Sequence, residues 1–117
     1  MELSESIERV KKIKQAYNVL NCVEGYKTWG ANEYFQAFQG DVGDLAKLIL
    51  ARRGYAFSQK DVDAKLAREL ADCLWSILVL ADELDVDIEY ELQKTLHRLE
   101  EKIGDRKIVK PNSRKAV

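Results

Sequence analysis

Between Cys73 and Ala81 the chain reads Cys-Leu-Trp-Ser-Ile-Leu-Val-Leu-Ala, and only Ser76 is polar. A helix advances about 100° per residue, so these nine positions cover its whole circumference. A helix that is apolar all round must be enclosed on every side. In a chain of 117 residues few neighbours are on offer. The stretch therefore predicts a helical bundle that associates with copies of itself through apolar helix faces.

The flanking sequence supplies the other rods. Ile7, Val10, Ile13, Tyr17 and Leu20 recur at helical spacing and predict a first helix from about Ser4 to Gly25. Phe38, Val42, Leu45 and Ile49 mark a second, from Asn32 or Glu33 to Arg53, with Asn32 as N-cap and Gly54 as the stop. Gly40 and Gly43 weaken it by about 1 kcal/mol each. They imply a close backbone approach, room for a ligand, or simple tolerance. The third helix is expected to start after Ser58, where Ser58-Gln59-Lys60-Asp61 resembles a capping box, and to run to about Leu84. Asp85-Val86-Asp87 reads as a turn and N-cap. The fourth helix follows to about Ile103, with Ile88, Leu92, Leu96 and Leu99 as its stripe. With one proline and no strand alternation, the expected class is all-α, an antiparallel four-helix bundle-like domain over 1–103. Residues 104–117 read as a flexible basic tail, with Arg106, Lys107, Lys110, Arg114 and Lys115 against Asp105.

The bulk numbers narrow the function classes. A formal net charge of −1 gives no prior for a nucleic-acid polymer or a membrane surface. No apolar run approaches the roughly 20 residues that span a bilayer. The charged, amphipathic first twenty residues do not read as a signal peptide, so a cytoplasmic location is expected. Cys22 and Cys73 lack zinc spacing, and both are expected to be buried, reduced thiols.

Two acidic doublets stand out against this frame, Asp41 with Asp44 and Glu69 with Asp72. Each is an i,i+3 pair, about 5–6 Å apart at Cβ. On a helical wheel both doublets edge into the packing face rather than the solvent face. Like charges so placed repel, and buried carboxylates are costly unless compensated. If the two helices pack antiparallel, the doublets can meet around a cation. Four oxygen donors, with no histidine beside them and Cys73 expected as a buried core thiol, suit magnesium, with manganese as a substitute. The competing reading is ordinary solvated or ion-paired acids, and Lys47, Lys65 and Arg68 are close in sequence.

The segments Gly40-Asp41-Val42-Gly43-Asp44-Leu45-Ala46 and Glu69-Leu70-Ala71-Asp72-Cys73-Leu74-Trp75 resemble the MazG-like, all-α nucleoside triphosphate pyrophosphohydrolases. The family pattern is E-E-x-x-E, a gap, then E-x-x-D; the gap here, Leu45 to Arg68, is 24 residues. Residues 80–89, Leu-Ala-Asp-Glu-Leu-Asp-Val-Asp-Ile-Glu, are also similar to the family's third-to-fourth helix passage. The resemblance implies magnesium-dependent cleavage of a nucleoside triphosphate to the monophosphate and pyrophosphate, by a homodimer or a tetramer of dimers. It implies Asp41, Asp44, Glu69 and Asp72 as metal ligands, and Glu69 or Asp44 as proton acceptor. The first family Glu is Gly40 here, and the next two are shortened to Asp.

Trp29, Tyr34 and Phe35 precede the first doublet, and Trp29, in a connection, is the best placed to stack on a base. Lys47, Arg52, Lys65 and Lys94 are candidates to reach phosphates, as is the basic tail. His97 reads as an ordinary surface histidine. Two alternatives remain open: a phosphoribosyl-ATP pyrophosphohydrolase-like enzyme, and a non-catalytic helical nucleotide-binding or oligomerisation protein.

Overall fold

The computed structural model describes residues 1–55 and 60–106. It is all-helical, with four helices and no strand among the described residues: α1 Leu3–Val23, α2 Ala31–Arg52, α3 Val62–Glu83 and α4 Ile88–Arg106. The chain divides into two compact units, Met1–Val86 and Asp87–Val117.

In the first unit α2 and α3 form the main interface, and α1 packs on α3. Contacts step down α3 as they step up α2. Ser76 Oγ meets Asp41 Oδ2 at 3.5 Å, and further along Arg52 Nε meets Asp63 Oδ1 at 3.2 Å. The two helices therefore run antiparallel, and the doublets lie at matching levels. The core is small: Val10, Tyr34, Leu48, Cys73, Leu78, Val79 and Ala81 are buried, and Val79 is fully enclosed.

Lys14 ties α1 to the end of α3. Its Nζ lies 2.6 Å from Asp82 Oδ2 and 3.6 Å from Glu83 Oε2. Burial works to lower the Lys14 pKa, but the Asp82 hydrogen bond and the Glu83 and Asp82 charges outweigh it and hold it above its usual value. The connection after α1 folds back along it. Gly25 takes φ 83°, and the backbone N–H of Trp29 donates to Asn18 Oδ1 at 3.3 Å.

Several expected boundaries move. The N-cap of α2 is Gly30 rather than Asn32, because Glu33 Oε1 reaches back to accept the Gly30 N–H at 2.7 Å. Gly54 ends α2 with φ 79°, as its sequence position suggested. At α3 the cap is Asp61 in the left-handed region, φ 55°; Ser58 and Gln59 of the expected capping box lie outside the described residues. Gly40 and Gly43 are not sites of close approach, since a Cβ at either would meet nothing within 4 Å. Cys73 is buried as expected, but Cys22 is exposed. Its neighbours Val19, Leu20 and Val23 are exposed too, because nothing in this unit covers that side of α1.

Among the described residues of the first unit, the apolar run of α3 is enclosed on one side only. Val79, Leu78 and Cys73 are buried, whereas Leu70, Leu74 and Ile77 are 55%, 53% and 40% exposed, with Leu84 beyond them at 60%. These four follow one face of the helix.

In the second unit Asp87 Oδ1 caps α4 by accepting the Tyr90 N–H at 3.1 Å. The helix continues to Arg106, three residues past the expected end at Ile103. Residues 107–117, most of the expected basic tail, lie outside the described residues. No described helix is long and apolar enough to cross a membrane.

Candidate functional site

The antiparallel register of α2 and α3 brings three of the four carboxylates together. Asp41, Glu69 and Asp72 each offer an oxygen, and these oxygens all lie within 4.8 Å of one another. All three residues are half-buried. Glu69 Oε2 is buried and has no hydrogen-bond partner. Asp41 Oδ2 accepts from Ser76 Oγ. None of the four acids is in a salt bridge among the described residues. No direct ion pair therefore neutralises any of them, although Lys47, Lys65 and Arg68 line a recess with three of the four.

Asp44 stands apart. It is exposed, one turn beyond Asp41, and lines a recess together with Glu69 and Asp72. Its charge is still felt in the cluster. Burial raises the Glu69 pKa, and the charges of Asp41, Asp72 and Asp44 raise it further, against a smaller opposing effect of Arg68. Burial raises Asp41 likewise, reinforced by Asp72 and Asp44 and opposed by the Ser76 hydrogen bond. Burial also pushes the Cys73 thiol up, with help from Asp41, Glu69 and Asp72. The thiol is thus held in its inert form beside the cluster.

The donor set is all oxygen, from two helices, with an orphaned buried carboxylate oxygen among it. That combination fits a hard divalent cation such as magnesium, and the neighbouring Cys73 thiol is not among the clustered donors. Asp41, Glu69 and Asp72 are the residues that would hold it.

Two recesses flank the cluster, and Asp72 lines both. The larger, about 620 Å³, lies where α1, the α1–α2 connection, α2 and α3 meet. Trp29, Tyr34, Tyr17 and Trp75 furnish its aromatic wall, Asn21 a side-chain amide, and Asp41 and Asp72 its acidic end. Trp29 packs edge-on against Tyr34, with ring centroids 5.4 Å apart and planes at 62°. The smaller recess, about 290 Å³, is lined by Lys47, Lys65 and Arg68 opposite Asp44, Glu69 and Asp72.

Of the sequence candidates, Trp29 and Tyr34 reach the aromatic cleft and Lys47 reaches the cationic recess. Phe35 is exposed and lines neither. Arg52 pairs with Asp63. Lys94 belongs to the second unit, where it sits 3.7 Å from Glu91 Oε1 and over the Tyr90 ring. His97 is exposed on α4, with Nε2 3.2 Å from Glu101 Oε1. Sequence reasoning passed over Trp75, Tyr17 and Asn21. Trp75 follows Asp72 by three residues and shares its helix face, a signal that was available. Tyr17 and Asn21 depend on where α1 lies, which no local pattern fixes.

Compared with family models, curated proteins and solved structures, the chain matches none of them.

Proposed function

We propose that the protein is a magnesium-dependent nucleotide pyrophosphohydrolase that cleaves a nucleoside triphosphate to the monophosphate and pyrophosphate. The observation that carries this reading is the Asp41–Glu69–Asp72 cluster, with its orphaned Glu69 oxygen, at the mouth of an aromatic cleft. The cleft volume falls within the roughly 300–1,000 Å³ of small-molecule sites. Its aromatic lining suits a nucleobase, and the Asn21 amide offers a donor and an acceptor for the base edge. The acidic doublets, in their order and spacing, support the same reading through their resemblance to MazG-like enzymes.

A bound magnesium ion would supply charge neutralisation to the phosphoryl oxygens. The chain's own part is positioning. Trp29 and Trp75 hold the base, and Asp41, Glu69 and Asp72 hold the cation. Asp44, outside the three-carboxylate cluster, is free to take the proton of the attacking water. Glu69 is the second choice for that role, since it already offers an oxygen to the cluster.

The exposed Leu70, Leu74, Ile77 and Leu84 face of α3 supports self-association as a homodimer or higher oligomer. A panel of canonical and modified nucleotides, incubated with magnesium or manganese and read by product chromatography, tests the activity. Monophosphate and pyrophosphate as joint products are expected. Silence across the panel rejects the reading, and nucleotide binding without turnover would assign the alternative, a non-catalytic nucleotide-binding module.

A further inference from the structure

The two recesses differ in charge as sharply as they differ in size. The aromatic cleft has no lysine or arginine in its lining. The smaller recess has three, Lys47 from α2 and Lys65 and Arg68 from α3, against the carboxylates of Asp44, Glu69 and Asp72. None of these three cations forms a salt bridge among the described residues. All three are exposed, yet they converge on one concavity from two helices.

We infer that this second recess is an anion site for a pyrophosphoryl group, and that Lys47, Lys65 and Arg68 are its binding residues. The inference rests on the proposed nucleotide reading and adds a direction to it: base in the Trp29–Trp75 cleft, terminal phosphates in the cationic recess. Three acids and three bases line the recess, so its charge is balanced as it stands. A divalent cation on Glu69 and Asp72 leaves a local excess of positive charge, which a pyrophosphate complements. The planar Arg68 guanidinium suits two oxygens of one phosphate, and the lysines act as point charges. Because Asp72 lines both recesses, a ligand spanning them passes the carboxylate cluster at the joint between nucleoside and terminal phosphates. Arg52, an equal candidate by sequence, pairs with Asp63 instead.

The test is calorimetric titration of inorganic pyrophosphate, with and without magnesium, into the full-length protein. Arg68→Met and the double variant Lys47→Met/Lys65→Met are compared with the wild type and with Lys12→Met, an exposed α1 control outside both recesses. Magnesium-dependent binding is expected, tighter for pyrophosphate than for orthophosphate and weakened by added salt. Arg68→Met should weaken it roughly tenfold or more, on the scale of a hydrogen bond to a charged group, and Lys12→Met should not. Far-ultraviolet circular dichroism checks that each variant is folded. No binding to the wild type, or equal affinity in all variants, overturns the site. The titration contains no nucleotide, so its outcome separates from that of the activity reading. Silent turnover with variant-sensitive pyrophosphate binding rejects the enzyme and keeps the anion site. Turnover with variant-insensitive binding does the reverse.

Discussion

Ser76 Oγ donates to Asp41 Oδ2 across the α2–α3 interface, joining residues 35 apart in the chain. Ser76 is the one polar residue in an otherwise apolar run, and it is spent on a carboxylate. The contact reports the register that levels Asp41 with Glu69 and Asp72. At 3.5 Å it is also a long bond, and it leaves the cluster short of compensation.

That shortage makes the metal-free protein sensitive to loss of a carboxylate. Glu69→Met removes a buried oxygen without a partner and replaces it with an apolar chain of similar length. We expect the metal-free variant to be more stable than the wild type by about 1 kcal/mol, the lower end of what an unsatisfied buried polar group costs. Stabilisation by magnesium should vanish in the same variant. Urea unfolding with magnesium or with EDTA measures both effects. A destabilised metal-free variant would contradict the account.

The raised Asp41 and Glu69 pKa values set the sign of the pH dependence. Each group binds its proton more tightly folded than unfolded. Its contribution to metal-free stability is therefore fully present below the unfolded pKa and is lost as pH rises through the raised folded value. A cation requires the deprotonated pair, so its added stability grows over the same interval. Thermal unfolding across a pH series should show magnesium doing little near the ordinary carboxylate range and most at neutral pH and above. A magnesium shift independent of pH would show that the ion binds elsewhere.

Gly40 and Gly43 sit in the interior of α2 with open space where a Cβ would point. Gly40→Ala and Gly43→Ala should each stabilise the protein by roughly 0.5–1 kcal/mol through helix propensity alone. Gly40→Glu introduces a carboxylate at the position where the family that the sequence resembles has one, and a Cβ there meets nothing within 4 Å. An increase in turnover on the nucleotide panel is expected from that variant. Unchanged turnover would mean that Asp41 and Asp44 already supply what the missing residue does.

Leu74 and Ile77 stand on the uncovered face of α3, more than a third exposed. Leu74→Lys combined with Ile77→Lys should convert an oligomer to monomer and leave helix content intact. Sedimentation velocity measures the outcome. A wild type that is already monomeric at micromolar concentration would remove self-association from the proposal.

Much of this arrangement could be read from residue order. The helices follow from apolar periodicity, and their ends fall within a few residues of glycine, proline-free turns and Asp87. The doublets were legible because i,i+3 spacing and the wheel position of Asp41 are local properties. Asp44 illustrates the limit. The wheel places it about 60° from Asp41, and only the packed interface decides that this angle takes it out of the cluster. Cys22 illustrates another: an apolar neighbourhood in sequence says nothing about which side of α1 a partner covers. By sequence, Arg68 is only one of three basic residues close to the acids. Its place in a recess with Lys47 appears only once α2 and α3 lie side by side.

The chain has two tryptophans, and Trp29 and Trp75 both line the aromatic cleft. All of its indole emission therefore originates at one location. Any planar molecule settling there should quench that signal, so occupancy of the cleft can be followed by fluorescence on unlabelled protein, before a substrate has been identified.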